Sequence, residues 1–161
     1  IQVFAIQLKK LELHRDVLRC IDGAVQFPII FELTQGQGAE ARTQVVAAYK
    51  RPREADAASW VCSEYFESVW THAAAVRASL PLALDLGGLY EQLLRRLAPV
   101  TARPGEPLHD WVARAEEVTA KEREVAKSEA RLAKEKQFNH KVEINSTLRQ
   151  LKAELESLTA R

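Results

Sequence analysis

A short basic cluster is the first group of residues in this sequence that could do chemistry. It consists of Lys50, Arg51 and Arg53, at the end of a predicted strand. Lysine and arginine side chains bind phosphate oxygens, and the fork of the guanidinium group fits them well. The cluster therefore predicts a contact with the phosphate backbone of a nucleic acid. The alternative is a solvated turn whose positive charge is neutralised by nearby acidic residues such as Glu54.

Glu32 and Lys50 lie on two predicted neighbouring strands, and this pairing invites comparison with metal-dependent nucleases of the restriction-enzyme type. Such a site holds magnesium with two carboxylates, one of them two positions before a lysine that assists the attacking water. The position two before Lys50 is Ala48, so the second carboxylate is absent. Glu32 is better explained as a polar residue at the rim of the sheet, and a nuclease stays an alternative.

The remaining reactive residue types form no recognisable site. The four histidines are scattered at no ligand spacing, and two cysteines are too few for a disulfide framework or a four-cysteine zinc site. Cys20 is expected in the core and Cys62 is expected to be partly buried. The sequence therefore predicts no catalytic residue, no metal site and no cofactor.

The clearest pattern in the sequence is a ladder of apolar residues near the C-terminus. Its members follow one another at intervals of 4, 3, 4 and 3 residues: Ile144, Leu148, Leu151, Leu155 and Leu158. This spacing is typical of a coiled-coil seam about two heptads long. Because such a seam must bury its apolar face, the ladder predicts a protein-interaction surface.

A second heptad repeat lies upstream of the ladder and does not share its phase. It is formed by Trp111, Val118, Val125 and Leu132. We therefore expect a tight turn near residues 138–140 and an antiparallel, coiled-coil helical hairpin over 107–161, in which the two seams face each other. One continuous helix is the alternative, because no glycine or proline marks the turn.

Residues 1–106 mix the periods of helices and strands and predict an α+β body. We expect a small, mostly antiparallel sheet with flanking helices, one ending near Gly23 and one capped by Asp85. The first strand has apolar residues on both faces, which predicts a central position in the sheet. The strands are expected at residues 1–8, 27–33, 43–49 and 64–70.

Composition sets limits on the function. The 161 residues contain 23 basic and 22 acidic side chains, a net charge of +1, which excludes a strongly basic nucleic-acid binder but not a local patch. No apolar run reaches the roughly 18 residues of a membrane span. Few cysteines and no signal peptide predict a cytoplasmic protein. The strand-like start at Ile1 and the absence of methionine predict that preceding structure is missing.

Four stretches resemble one protein family: AAYKRPREAD (47–56), EYFESVW (64–70), LPLALDLGGLYEQLL (80–94) and KEKQFNHKVEINSTLRQLKAEL (134–155). With the first strand, IQVFAIQL, they resemble the C-terminal two thirds of the bacterial family catalogued as domain of unknown function 4391. The family has no established activity. Its genes tend to lie beside superfamily 2 helicase and DNA methyltransferase genes in restriction-modification or phage-defence islands, which implies an accessory role in a DNA-processing complex.

Three functions follow as expectations. The leading one is a non-enzymatic accessory subunit that docks a helicase or methyltransferase through the hairpin, while Lys50, Arg51 and Arg53 contact DNA. The first alternative is a divergent metal-dependent nuclease subunit that uses Glu32 and Lys50. The second is a self-associating structural module that dimerises through residues 142–158.

Overall fold

The computed structural model describes residues 1–10, 13–53, 56–98 and 100–160. The chain divides into two units, Ile1–Pro99 and Val100–Arg161. Among the described residues, the first unit contains β1 (Gln2–Gln7), α1 (Arg15–Ala24), β2 (Ile29–Gln35), β3 (Arg42–Arg53), β4 (Asp56–Glu67), β5 (Thr71–His72) and α2 (Leu86–Leu97). The second contains two long helices, α3 (Leu108–Lys134) and α4 (Phe138–Thr159). The predicted α+β class with a helical C-terminal part is confirmed.

The sheet of the first unit is mixed. Its strand order is β1-β2-β3-β4, and β5 pairs with the start of β3. β1 and β2 are parallel, with Phe4 beside Phe31, and α1 is the crossover between them, because a tight turn can join only antiparallel neighbours. The pairs β2–β3, β3–β4 and β3–β5 are antiparallel, which confirms the mostly antiparallel sheet.

Strand β1 lies at an edge of the sheet, so the prediction of a central position is wrong. Val3 is 67% exposed, whereas Phe4 and Ile6 are half-buried against the core. Apolar residues on both faces of a strand show which side chains can be buried. They do not determine which strands become neighbours, since that depends on pairing with distant segments.

The main core of the first unit lies between α1 and one face of the sheet. Leu18 of α1 belongs to the same buried cluster as Phe31 of β2 and Val46 of β3. The centroid of the Phe31 ring lies 6.1 Å from that of Phe4 and 6.3 Å from that of Tyr65. These rings join three strands, so burial of one apolar cluster holds the sheet and the helix together.

Cys20 is exposed, and the prediction that it lies in the core is wrong. Leu18 is 2% exposed and Asp22 is 4% exposed, so these two residues mark the face of α1 that meets the sheet. Cys20 lies two positions from each of them, about 200° around the helix. Its side chain therefore points away from the sheet.

Helix α2 packs on β3 and β4. The hydroxyl of Tyr90 donates a hydrogen bond to the main-chain carbonyl of Ala48, and Leu94 is fully buried. Asp85 caps the helix as the sequence predicts, since its Oδ1 accepts a hydrogen bond from the N–H of Gly88 at 2.7 Å. A carboxylate at this position satisfies a free amide and suits the positive end of the helix.

The second unit begins at Val100, whereas the sequence predicts a boundary between residues 106 and 107. The first turns of α3 hold the preceding residues in place. The indole N–H of Trp111 donates to the carbonyl of Val100 at 3.0 Å, and Arg114 donates to the carbonyl of Thr101 at 2.9 Å. Composition indicates where the helical segment starts. These contacts extend the second unit by several residues toward the N-terminus.

The C-terminal segment forms two helices, with a break at residues 135–137. The carboxylate of Glu135 accepts hydrogen bonds from the N–H groups of Lys136 at 2.7 Å and Gln137 at 2.8 Å. A side chain that bonds to nearby main-chain amides stabilises a non-helical backbone. The chain therefore turns here without a glycine or a proline, close to the predicted position.

Candidate functional site

Lys50, one of the predicted phosphate contacts, lies beneath the C-terminal end of α1. Its side chain is 1% exposed, and its Nζ is 3.5 Å from Oδ1 of Asp22. The ammonium group also donates to the main-chain carbonyls of Asp22 and Val25. Carbonyls at the end of a helix lack partners within the helix and carry partial negative charge, so they stabilise a cation. In this structure Lys50 faces α1 and not solvent.

Tyr65 and Cys62 complete this group of polar side chains. The hydroxyl of Tyr65 donates a hydrogen bond of 2.5 Å to Oδ2 of Asp22. Burial, followed by this hydrogen bond, raises the pKa of Tyr65. Cys62 lies opposite Lys50 across the β3–β4 pair, and burial raises the pKa of its thiol. We call these four residues (Asp22, Lys50, Cys62 and Tyr65) the α1 polar cluster.

The α1 polar cluster has the properties of a structural site. Each buried charge faces an opposite charge or a dipole, and no buried side-chain polar atom among the described residues lacks a hydrogen-bond partner. A thiol with a raised pKa carries little of the reactive thiolate at neutral pH. The cluster therefore fixes α1 on the sheet and offers no activated nucleophile.

Arg51 and Arg53 differ from Lys50 in their exposure. Arg51 is half-buried and Arg53 is exposed, at the end of β3. Both guanidinium groups stay candidates for phosphate contact, whereas the ammonium of Lys50 is held inside the unit. Glu54, which the solvated-turn alternative invokes, lies outside the described residues.

Glu32 and Lys50 are not brought together. Phe31 and Leu33 belong to the core cluster that packs against α1. Since successive side chains of a strand alternate between its faces, Glu32 points to the opposite face, where it forms an ion pair with Arg77. Lys50 contacts α1 on the first face. The described residues contain no group of three or more histidine, cysteine, aspartate or glutamate side chains that could hold a metal ion.

A cleft of about 210 Å³ lies beside the N-terminal end of α1. Its walls combine apolar residues such as Leu18 and Trp70 with polar ones such as Gln44. Arg15 and Glu67 form an ion pair of 3.0 Å at its lining, so the charged groups satisfy each other. The cleft brings together no combination of nucleophile, base and oxyanion donor.

The C-terminal ladder lies between α3 and α4. We call these two helices and their connection the helical hairpin. Ion pairs of 2.7 Å join Lys121 to Glu154 and Glu129 to Lys152, so the helices run in opposite directions. The hydrogen bond from Lys121 lowers the pKa of Glu154. These pairs fix the register in which the two apolar repeats meet.

The hairpin covers its apolar seam only in part. Trp111 and Val118, in the first half of α3, are fully buried. Beyond Val118, none of the described residues of α3 is buried. On α4, Leu148 is the only ladder residue that is buried. The other four are half-buried: Ile144, Leu151, Leu155 and Leu158. A pair of helices has no third layer to cover the sides of its seam, so apolar surface remains accessible.

The end of the hairpin that is far from Trp111 has further exposed apolar surface. Phe138 is 77% exposed and Val142 is 53% exposed. Both lie in the first turns of α4, six and two residues before Ile144 on the chain. At 100° per residue they lie about 240° and 200° around α4 from Ile144, so this exposed apolar surface is separate from the seam.

Arg114 anchors the other end of the hairpin. Its Nε and Nη2 each donate to the carboxylate of Glu106 at 2.7 Å, and its Nη1 donates to the carbonyl of Leu158 at 3.0 Å. This two-pronged hydrogen bond lowers the pKa of Glu106 to about 2. Arg114 thus ties the segment before α3 to the last turn of α4.

Sequence reasoning missed Asp22 and Arg114. Asp22 lies one helical turn after Leu18, and a charged residue on the apolar face of a short helix is a usable signal of a buried partner. Arg114 lies three positions after Trp111 and beside the predicted seam, where a charge is a weaker signal of a buried partner. In both positions, identifying the partner requires the tertiary structure.

Comparison with known proteins gives one match. The family model described as Domain of unknown function (DUF4391) matches residues 1–155. No curated protein and no solved structure matches the chain. No helix in the described part of the chain has the length and apolar character needed to cross a membrane.

Proposed function

We propose that this chain, which belongs to the family described as Domain of unknown function (DUF4391), is a non-enzymatic adaptor that docks a partner protein through its helical hairpin. The partially covered seam is the observation that carries the proposal. Ile144, Leu151 and Leu155 are each half-buried in the hairpin. A helix from a partner would complete their burial and convert the pair into a coiled coil of three helices.

The partner we propose is a helicase or a DNA methyltransferase of a bacterial DNA-processing or phage-defence system, in the cytoplasm. This part rests on the gene neighbourhoods implied by the family resemblance. Arg51 and Arg53 supply the proposed DNA contact, because both lie at the end of β3, where Arg53 is exposed and Arg51 is half-buried.

The test is co-purification from the native host with the full chain as bait. We expect the helicase or methyltransferase to be recovered with the unmodified chain and lost with Leu151→Asp, which places a charge on a half-buried residue of the seam. Ile144→Asp should have the same effect. Ala153→Asp is the matched control, since Ala153 is exposed on the other side of α4. Circular dichroism verifies that each variant keeps its helices.

Two results would contradict the adaptor proposal. One is that neither enzyme is recovered with the unmodified chain. The other is that Leu151→Asp and Ala153→Asp recover the partner equally well, which would place the contact away from the seam.

Self-association through residues 142–158 is the second candidate, because the same half-buried seam could pair with a copy of itself. It predicts a mass that rises with concentration in light scattering and falls to that of one chain with Leu151→Asp.

The nuclease alternative has no comparable support. Glu32 and Lys50 lie on opposite faces of the sheet, and Glu32 is paired with Arg77.

A further inference from the structure

The segment between β5 and α2 displays a row of exposed apolar side chains that the proposed function does not use. Their exposed fractions range from 66% to 106%, as high as in an unfolded chain for some of them. We call this row the leucine strip: Val76, Leu80, Leu82, Leu84 and Leu86.

Polar contacts on the other side of the segment hold its backbone in place. Gln92 donates to the carbonyl of Leu82 at 2.9 Å, and Arg96 donates to the carbonyl of Ser79 at 3.2 Å. Asp85 caps α2 directly before Leu86. The leucine strip is thus anchored to α2, while its side chains face away from the unit.

The area of the leucine strip is large for a surface left to water. Burying one valine or leucine side chain removes on the order of 100 Å² of apolar surface, so the strip exposes about 500 Å². Exposed apolar patches of this size mark interaction sites. Two such strips buried against each other would remove about 1,000 Å², which is the lower limit for a specific interface.

The charges along the segment are already matched within the unit. Arg77 is paired with Glu32, and the carboxylate of Asp85 accepts a hydrogen bond from Gly88. Between residues 78 and 86, Asp85 is the only charged residue. A neutral strip has no need of a partner with an opposite charge and does not repel a copy of itself.

The spacing of the leucines is symmetric about Ala83. An antiparallel copy related by a twofold axis at Ala83 places Leu82 opposite Leu84 of the copy, and Leu80 near Leu86, the first residue of α2. Asp85 then faces Pro81, so no two like charges meet. A surface that matches itself under a twofold rotation is what a symmetric dimer requires. We propose that the leucine strip is a homodimer interface, independent of the docking function of the helical hairpin.

Sedimentation velocity of the full chain at increasing concentration tests this proposal. We expect a monomer–dimer equilibrium with a dissociation constant on the order of micromolar, as suits a small apolar interface. Leu82→Asp buries one charge on each side of the twofold axis and should raise that constant at least about tenfold. Val69→Asp is the matched control, because Val69 is 78% exposed outside the strip.

Leu151→Asp separates this proposal from the function of the hairpin. The dimer should persist in Leu151→Asp even where the partner enzyme is lost. A chain that stays monomeric at every concentration overturns the homodimer interface. So does a dimer that Leu82→Asp leaves unchanged, or one that only Leu151→Asp dissociates. Binding of monomers to phospholipid vesicles through Leu82 would assign the strip to a lipid surface instead, and would also overturn it.

Discussion

The Nζ of Lys50 lies 3.5 Å from Oδ1 of Asp22, and both side chains are almost completely buried. The two residues are 28 positions apart and belong to β3 and α1. A buried ion pair contributes little to stability relative to apolar residues of the same size, but the loss of one partner leaves an uncompensated charge. The pair therefore determines how α1 is placed on the sheet more than it stabilises the fold.

Replacement of Asp22 should strongly destabilise the first unit. Asp22→Ala leaves the buried charge of Lys50 without its carboxylate and the hydroxyl of Tyr65 without its acceptor, and we expect a loss of about 3–5 kcal/mol in the free energy of unfolding. Urea denaturation measures it. Asp16→Ala, at a residue 64% exposed on the same helix, should cost less than about 1 kcal/mol. Equal effects of the two substitutions would contradict a paired, buried role for Asp22.

The double variant Asp22→Leu, Lys50→Met provides a second measure of the same pair. Removing both charges leaves no buried ion without a partner, so the double variant should be more stable than Asp22→Ala. A double variant as unstable as the single one would show that the cost comes from lost packing and not from the stranded charge.

The hydrogen bonds between Arg114 and Glu106 should make the second unit sensitive to acid. The pKa of Glu106 is lowered to about 2, from a usual value of 4.5. A carboxylate with a lowered pKa stabilises the folded state above the unfolded value and loses that contribution as the pH falls through the folded value. The contribution of about 1.5–3 kcal/mol should therefore be lost between about pH 4.5 and pH 2.

Thermal unfolding followed by the helical signal at several pH values tests this expectation. Glu106→Gln should lower the melting temperature at pH 7 and show a weaker decrease than the unmodified chain between pH 4.5 and pH 2. Glu156→Gln, an exposed change on α4, is the control. Parallel pH profiles for Glu106→Gln and the unmodified chain would rule out the proposed linkage.

The two cysteines should differ in their reactivity. Cys20 is exposed, whereas burial raises the pKa of Cys62. Because the thiolate is the reactive form, a thiol reagent at pH 8 should modify one cysteine quickly and the other slowly. Cys20→Ser should remove the fast phase. A fast phase that survives in this variant would mean that α1 does not cover Cys62.

The proposed DNA contact can be measured by its dependence on salt. Arg53→Ala should weaken binding to duplex DNA and reduce the slope of the logarithm of affinity against the logarithm of salt concentration by about 1. Arg51→Ala should act in the same direction. Arg149→Ala, an exposed arginine on α4, is the control. Binding that responds equally to all three substitutions would place the phosphate contact elsewhere.

Local patterns in the sequence predicted many of the helices of this fold correctly. The intervals between Trp111 and Leu132 and between Ile144 and Leu158 predict two helices with separate seams, and the structure has α3 and α4 at these positions. Asp85 predicts the start of α2 correctly. Such features depend on neighbours within one or two turns of a helix, so the chain determines them without reference to the rest of the molecule.

The tertiary structure alone decided which residues meet and which face water. Phe4 and Cys20 both lie in apolar patterns. In the structure Phe4, on the edge strand β1, contacts Phe31, whereas Cys20 is exposed. Lys50 belongs to a basic run that is typical of an exposed cluster. It is buried because its ammonium group donates to main-chain carbonyls at the end of α1. A periodic pattern specifies a face of an element, but the partner of that face comes from a distant part of the chain, through packing and charge compensation that no local pattern contains.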